Sequence, residues 1–345
     1  MKIIHSADIH LGSKIEAKLP KEKSEIRRAE VRQAFNKMVN YAILNEIKVI
    51  LISGDLFDTE RPLKRDKDFF YNVVKNNPDI DFIYLKGNHD TAESGINETV
   101  LNLKSFSDNW TTYLYDDVTI SGIELLDYNK KEIINGLLLP QNNKNIVMMH
   151  GEVNKIPKIN EKNIDYLALG HIHTFSEVDF DIRGKCFYSG CLEGRGFDET
   201  GLKGFVVIDT DKMSVEFIPN SVRVIEEFTI DISCAANTYE AYKIVKDTIV
   251  TSPENICIIN LCGEISFDAL YLTEDIEAYL TNEYFFVYVK NYTTEKINFN
   301  KIAEEKTLKG EFVRVVLSNA DYCQQQKEQI ISVGLKAFNG QEVLK

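Results

Sequence analysis

Five short stretches of this sequence place metal-binding and acid–base side chains directly after apolar runs. "HSADIHLG" supplies Asp8 and His10, "LISGDLFDTE" supplies Asp55 and Asp58, and "YLKGNHD" supplies Asn88, His89 and Asp90. "VMMHGE" supplies His150, and "LALGHIH" supplies His171 and His173. The chain has six histidines, and these stretches use five of them. The sixth, His5, falls inside an apolar strand and reads as a packed core residue. Seven side chains are candidate metal ligands: Asp8, His10, Asp55, Asn88, His150, His171 and His173. One ion takes about 4 to 6 ligands, so seven suit two ions if one carboxylate is shared. Mixed imidazole, carboxylate and amide donors suit Mn²⁺, Fe²⁺ or Zn²⁺ better than Mg²⁺ or Ca²⁺ alone. Taken singly, each stretch also reads as an ordinary polar turn. Their recurrence at five strand ends is what favours a site.

The elements that must position these groups can be read from periodicity. Residues 2–5, 48–53 and 82–85 are short apolar strands, the second a continuous run of the kind buried on both faces. Residues 24–45 and 68–75 carry apolar residues at helical spacing. After residue 111 the pattern turns strand-rich, through "VTISGIELL", "GLLLP", "NIVMMH", "YLALGH", "KCFYSG", "GFVVID" and "SVEFIP". Strand–helix repeats followed by strands predict a layered α/β domain with helices outside and sheets within. In such sheets ligands bind at the carboxyl ends of strands, where the five stretches fall. An i, i+2 pair leaving a strand can aim both side chains the same way, as Asp8/His10 and His171/His173 would. Glycines 54, 87 and 170 allow sharp turns beside them.

This domain is expected to span 1–227. A smaller α+β capping domain is expected over 228–319, with strands at 228–232, 255–261, 284–289 and 312–317 and helices at 239–249 and 272–280. A mostly helical segment, with a break at Gly334, is expected over 320–345. A content of 44% hydrophobic and 27% charged residues is that of a soluble globular protein. No apolar run approaches the ~18 residues of a membrane helix. The opening residues resemble neither a signal nor a transit peptide, so a cytoplasmic protein without membrane association is expected. Six cysteines without a CxxC pair read as reduced core residues.

The formal net charge is −13, from 29 Lys+Arg against 36 Asp+Glu through residue 228 and 11 against 17 after it. Neither part is held on nucleic acid by bulk charge. A local basic strip is a separate matter. Residues 14–32 carry Lys14, Lys18, Lys21, Lys23, Arg27, Arg28 and Arg32 against four acidic residues, and "RPLKRDK" adds Arg61, Lys64, Arg65 and Lys67. They read either as phosphate contacts or as a solvated helix face and polar loop.

DxH, GDxxD, GNHD, a later His and GHxH, in that order from residue 8 to 173, resemble the calcineurin-like metallophosphoesterases. "MKIIHSADIHLG", "DYLALGHIH" and "YSGCLEGRGFDETGLKGFVVID" are similar, more narrowly, to the SbcD branch of DNA repair exonucleases and to YhaO-like bacterial exonucleases. The resemblance implies a four-layer α/β/β/α sandwich with a smaller C-terminal α+β capping domain. It implies one metal on Asp8, His10, Asp55 and His173 and another on Asp55, Asn88, His150 and His171. Mn²⁺ is the first expectation, with Fe²⁺, Zn²⁺ and Mg²⁺ as alternatives. His89 would face the scissile phosphate as a catalytic residue, Asp90 would orient its ring, and Asp58 would support the Asp55 loop. Tyr188, Arg195 and Arg61 are candidate substrate-binding residues, while Phe197 reads as packing. Where the family often follows GHxH with a Lys/Pro/Gln-type run, this chain has Thr174 and Phe175.

The implied function is metal-dependent hydrolysis of DNA phosphodiesters. An SbcC-like coiled-coil ATPase is the implied partner, and a homodimer is also compatible. Ile331, Leu335 and Phe338 would either dock that partner or pack a helix on its own domain. The competing readings are a phosphoesterase acting on small-molecule phosphodiesters or phosphoproteins, and a non-catalytic scaffold.

Overall fold

The structure is a computed structural model that describes residues 1–15, 18–90, 100–124, 134–152, 162–179, 182–338 and 340. By chain contacts it divides into two compact units. The first holds residues 1–228, 251–259 and 280–288, and the second holds 229–250, 260–279 and 289–345.

The first unit begins with the expected alternation. Strands β1 (Lys2–Ser6), β2 (Val49–Ser53) and β3 (Asp81–Leu85) pair in parallel, joined through helices α1 (Lys21–Leu44) and α2 (Lys64–Asn76). The short β4 (Leu103–Ser105) extends this sheet beside β3. Ile4, Ile50 and Ile52 point to one face and pack against Val31, Phe35, Met38 and Phe70 of the helices. Ile3, Val49 and Leu51, one residue out of step, point to the other face. This two-residue alternation is why the strands are apolar throughout: both faces are covered. The chain returns late to complete the sheet with β11 (Gly204–Asp209), antiparallel to β1, and β12 (Ser214–Pro219).

A second mixed sheet faces the first. It runs β5 (Thr111–Tyr115), β6 (Val118–Gly122), β7 (Lys144–His150), β8 (Tyr166–Gly170), β10 (Lys185–Tyr188), β9 (Ser176–Val178). Ile120, Ile146, Met148, Tyr166 and Ala168 meet Ile3, Val49, Leu51, Ile83 and Leu85 between the sheets. Each fully buried side chain of this kind contributes about 1.5–3 kcal/mol relative to exposure. On the far face Val147, Met149, Leu167 and Leu169 pack with Ile123, Ile134, Leu137 and Ile164. Helix, sheet and sheet layers are thus in place among the described residues. His5 is fully buried, with its Nδ1 2.9 Å from the Tyr166 hydroxyl, and burial lowers its pKa to about 3, so it is the packed neutral residue expected.

The strand expected at "GLLLP" is absent: residues 137–140 form no ladder. Pro140 has no amide hydrogen to give one, Leu137 is buried in the outer cluster, and Leu138 is exposed.

After β12 come β13 (Ile225–Asp231), α3 (Thr238–Thr248), β14 (Ile256–Cys262), β15 (Glu264–Ile265), α4 (Leu272–Leu280), β16 (Phe286–Asn291) and β17 (Thr294–Glu295). Three helices follow among the described residues: α5 (Phe299–Glu304), α6 (Leu308–Ser318) and α7 (Gln324–Phe338). Two expectations are corrected there. Residues 312–317 lie in α6, not in a strand. Their β-branched content suggests a strand, but Val313 and Val316, three apart, bury one helical face against Ile331 and Leu335, and the Thr307 side chain caps the start by accepting the Gly310 amide. Gly334 does not break α7. It makes room, since a Cβ there would lie 2.3 Å from the Phe312 ring. Cys186, Cys191 and Cys257 are buried as expected, whereas Cys234 and Cys323 are exposed. Among the described residues no helix is long and apolar enough to cross a membrane.

Candidate metal centre

The turns that leave β1 and β2 run side by side. The Asp8 amide donates to the Gly54 carbonyl (3.0 Å), His10 to Asp55 (3.0 Å), Leu11 to Leu56 (2.8 Å) and Asp58 to Leu11 (3.2 Å). This ladder holds unusual backbone. Asp8 (φ 50°), His10 (φ 49°) and Asp55 (φ 50°) are left-handed, and His171, after β8, sits at φ 106°. Such conformations cost about 1–3 kcal/mol each and persist only where surroundings fix them, typically at functional sites.

The three glycines stand where no side chain fits. A Cβ on Gly54 (φ 91°) would lie 2.1 Å from His150 Nδ1, one on Gly87 would lie 2.1 Å from Asp55 Oδ1, and one on Gly170 would lie 1.9 Å from the Ser53 carbonyl oxygen. Each glycine therefore lets a donor group sit against the backbone of a neighbouring strand end.

All seven candidate ligands meet. His173 Nε2 lies 3.3 Å from His10 Nε2, which lies 3.8 Å from Asp55 Oδ2. That oxygen is 3.4 Å from His150 Nε2. His150 Nε2 is 2.9 Å from Asn88 Oδ1, which is 3.2 Å from His171 Nδ1. Asp8 joins two clusters whose donor atoms all lie within 4.8 Å of one another: Asp8, His10 and His173, and Asp8, Asp55 and His150. Asp55 Oδ2 sits midway along the row, and Asp8 belongs to both clusters. Both oxygens of Asp8 also accept the His171 amide (3.0 and 2.9 Å).

The donor set fits cations. Asp58 Oδ1 faces His10 Nδ1 at 3.2 Å, and His173 Nδ1 donates to Glu199 Oε1 at 2.7 Å. With both Nδ1 positions turned to carboxylates, both Nε2 atoms present lone pairs, yet they are 3.3 Å apart. Two ring nitrogens at that distance are held by a proton or a metal cation between them. Likewise His150 Nδ1 donates to the Ser53 carbonyl (2.9 Å), which aims its Nε2 lone pair at the acceptor oxygens of Asn88 and Asp55. Separations of 2.9–3.4 Å are those of neighbouring ligands on an ion with bonds of about 2.0–2.2 Å. The two clusters form a potential dimetal site.

Without a cation, protons take up the strain. Burial alone would raise the Asp55 carboxyl, but His150, the His89 amide (2.9 Å) and His10 hold it well below the usual carboxylate range. Burial opposes charge on His150, but Asp55 and Asp8 outweigh it and raise its pKa to about 9. His10 is pushed down by burial, against the pull of Asp58. A cation at His150 would therefore displace a proton.

His89 is exposed at the mouth of this site, its ring edge-on to His10 at 5.2 Å between centroids. Asp90 does not orient that ring. Its carboxylate accepts the backbone amides of Leu56, Phe57 and Gly87, each at 3.1 Å, and so clamps the Asp55 turn onto the Asn88 turn. Burial raises its pKa despite these bonds. Asp58 faces His10 and Arg195.

The candidate substrate residues divide. Tyr188 is buried, and its hydroxyl donates to the Gly151 carbonyl (2.9 Å), so it buttresses the turn after His150. Arg195 spends its guanidinium on Asp58 and Glu199. Arg61 is exposed and lines a cavity of about 340 Å³ with Lys14, Arg28, Arg32, Arg65 and Asp66. The two basic stretches thus meet in one groove, which starts one residue beyond His10 and one beyond Asp58. Lys18 and Lys23 turn instead to Tyr288 and Phe285, and Arg27 turns inward. It is fully buried, pairing with Glu30 and with Glu193 (2.7 Å), while Arg223 reaches Glu30 at 2.6 Å. Phe197 packs, stacked on Phe286 and Tyr288.

Sequence reasoning misses Glu199 and Lys203. Lys203, also buried, donates to the His173 carbonyl at 3.0 Å. The Glu-Thr-Gly-x-Lys-Gly run that carries both is visible, but nothing in it names His173 as its target.

With this fold and centre, residues 1–175 match the calcineurin-like phosphoesterase family model, and the chain belongs to that family. More particular likenesses are weaker. It is 24% identical to the DNA double-strand break repair protein Mre11 of Methanosarcina acetivorans, over 93% of this chain and 54% of that protein. It is 25% identical to the SbcD subunit of the SbcCD nuclease of Staphylococcus saprophyticus, over 64% and 69% of the two chains. It is 24% identical to the uncharacterized metallophosphoesterase YhaO of Bacillus subtilis, over 72% and 67%. The chain spans about half the length of the Methanosarcina proteins it matches.

Proposed function

We propose that this chain is a two-metal phosphodiesterase acting on DNA. The supporting observation is the row of inward-facing acceptors from His173 to His171, spaced 2.9–3.8 Å apart. In this reading Asp8, His10, Asp55 and His173 hold one divalent ion and Asp55, Asn88, His150 and His171 hold the other, Mn²⁺ for preference. When bound, such a pair supplies Lewis-acid charge for in-line displacement at phosphorus.

The chain's own groups do the rest. The two Nδ1 carboxylates and the Ser53 carbonyl fix the imidazole orientations. Asp90 fixes the spacing between the Asp55 and Asn88 turns. His89, exposed and beside His10, is placed to donate a proton to the leaving oxygen or to stabilise charge on the phosphoryl group, a role of about 10²–10⁴-fold.

DNA as substrate is supported by the names of the Mre11 and SbcCD relatives, a break-repair protein and a nuclease, and by the groove of five cationic side chains beside the centre. Such side chains position a backbone through its phosphates. A coiled-coil ATPase partner of SbcC type is part of the proposal on the same likeness. The test is hydrolysis by metal-reconstituted protein of linear DNA with defined ends beside a generic small phosphodiester. Cleavage of DNA supports the proposal. Cleavage of the small ester alone favours the small-molecule reading, with which the net charge of −13 agrees.

A further inference from the structure

The segment from Tyr188 to Gly204 carries a motif whose chemistry the metal ligands do not absorb. It folds around His173. Glu199 Oε1 takes the ring's Nδ1 hydrogen at 2.7 Å, while the His173 carbonyl receives Lys203 Nζ at 3.0 Å and the Cys191 amide at 3.4 Å. Arg195 then ties this assembly to the opposite imidazole. Its Nη2 donates to Glu199 Oε1 (2.7 Å) and its Nη1 to Asp58 Oδ1 (2.8 Å). These are the same two oxygens that face His173 and His10. Nη2 also lies 3.1 Å from His173 Nδ1, but the shorter carboxylate contact assigns that nitrogen's hydrogen to Glu199. The Arg195 amide (2.6 Å) and Nε (3.4 Å) reach Glu199 Oε2.

The other half of the centre is built differently. His150 Nδ1 donates to a neutral carbonyl, that of Ser53. His171 turns its Nδ1 to Asn88, and its Nε2 is 3.9 Å from Glu152. A carboxylate behind an imidazole fixes its orientation as a ligand, and removing such a partner typically costs 10–100-fold in metal affinity. A guanidinium bridging two carboxylates fixes both at once, through a planar fork that an ammonium cannot reproduce.

We infer that Asp58, Arg195 and Glu199 are positioning residues for one half of the centre, and that this brace makes the His10/His173 half bind a divalent cation more tightly than the His150/His171 half. The inference rests on the two-metal reading. The chain therefore loads in two unequal steps, and the first belongs to the braced half.

The experiment titrates the EDTA-stripped 345-residue chain with Mn²⁺ alone, following free ion by electron paramagnetic resonance and bound ion by equilibrium dialysis. Wild type takes two ions with separable affinities. Glu199→Gln and Arg195→Ala weaken the tighter step about 10–100-fold and leave the weaker one in place, and Arg195→Lys does not restore it. His171→Ala weakens only the second step. Variants that keep both wild-type constants, or that weaken both steps equally, overturn the inference. So does a His171→Ala variant that loses the tighter step. Melting in EDTA checks folding. Should Arg195→Ala be unfolded, Glu199→Gln, which keeps side-chain size, decides. A wild type that binds fewer than two ions instead overturns the two-metal reading itself.

Discussion

Asp8 and His171 lie 163 positions apart, and both Asp8 carboxylate oxygens accept the His171 amide, at 3.0 and 2.9 Å. The bond ties the first strand of one sheet to the end of β8 in the other, with both residues in strained backbone. Asp8 also belongs to both donor clusters. Asp8→Ala should therefore remove binding of the ion held with His10 and His173, weaken the other through the released His171 turn, and reduce hydrolysis by at least about 10²-fold, the scale of removing metal-supplied charge stabilisation. Mn²⁺ titration with a parallel rate assay checks it.

His89→Gln should separate binding from turnover. His89 is exposed and stands beside the donor row, so Mn²⁺ stoichiometry should stay at the wild-type value. The rate should fall about 10²–10⁴-fold. Unchanged turnover would remove His89 from the mechanism.

Asp90→Asn should behave as a structural lesion. The carboxylate receives three amides at once, and an asparagine can satisfy them with one oxygen only. A drop of about 1–3 kcal/mol in urea unfolding is expected, together with weaker metal binding through the released Asp55 turn. A variant defective only in rate would instead restore the ring-orienting role.

The buried cluster of Arg27, Glu30, Glu193 and Arg223 gives a prediction remote from the chemistry. Arg27→Ala would leave Glu193 facing Arg27's vacated place, though still accepting the Val222 amide (2.5 Å). Breaking a buried pair this way costs about 3–5 kcal/mol, read as a shift in the denaturation midpoint. A change below about 1 kcal/mol, the level of a surface pair, would show the cluster to be dispensable.

The groove beside the centre predicts a substrate effect. Replacing Arg61 and Arg65 by Ala should weaken DNA binding and lower its salt slope by about one unit for each phosphate no longer neutralised. Hydrolysis of a small diester, too short to reach the groove, should fall far less. Equal reductions on both substrates would contradict the groove's role.

The site is legible in the sequence because each ligand ends a strand whose apolar run is itself conspicuous: "KVILIS" announces Asp55, and "YLALG" announces His171. The braces are not legible. Asp90 lies beside His89 in sequence but serves the Asp55 turn, 34 positions away, and Glu199 serves a ring 26 positions back. Such pairings are set by how turns meet in space. The mistaken strand at α6 has a related cause, because "FVRVVL" carries β-branched residues at a spacing that also fits one helical face, and only its packing partners Ile331 and Leu335 decide between the two. Arg27 reads like its exposed basic neighbours because nothing local marks that its partners, Glu193 and Gly194, arrive from a distant turn.

The most direct measurement is anomalous diffraction from crystals grown with Mn²⁺. The account predicts two peaks about 3.5–4 Å apart, one contacting His10 and His173 and the other Asn88 and His150, with Asp55 touching both. A single peak, or a pair away from these side chains, would contradict it.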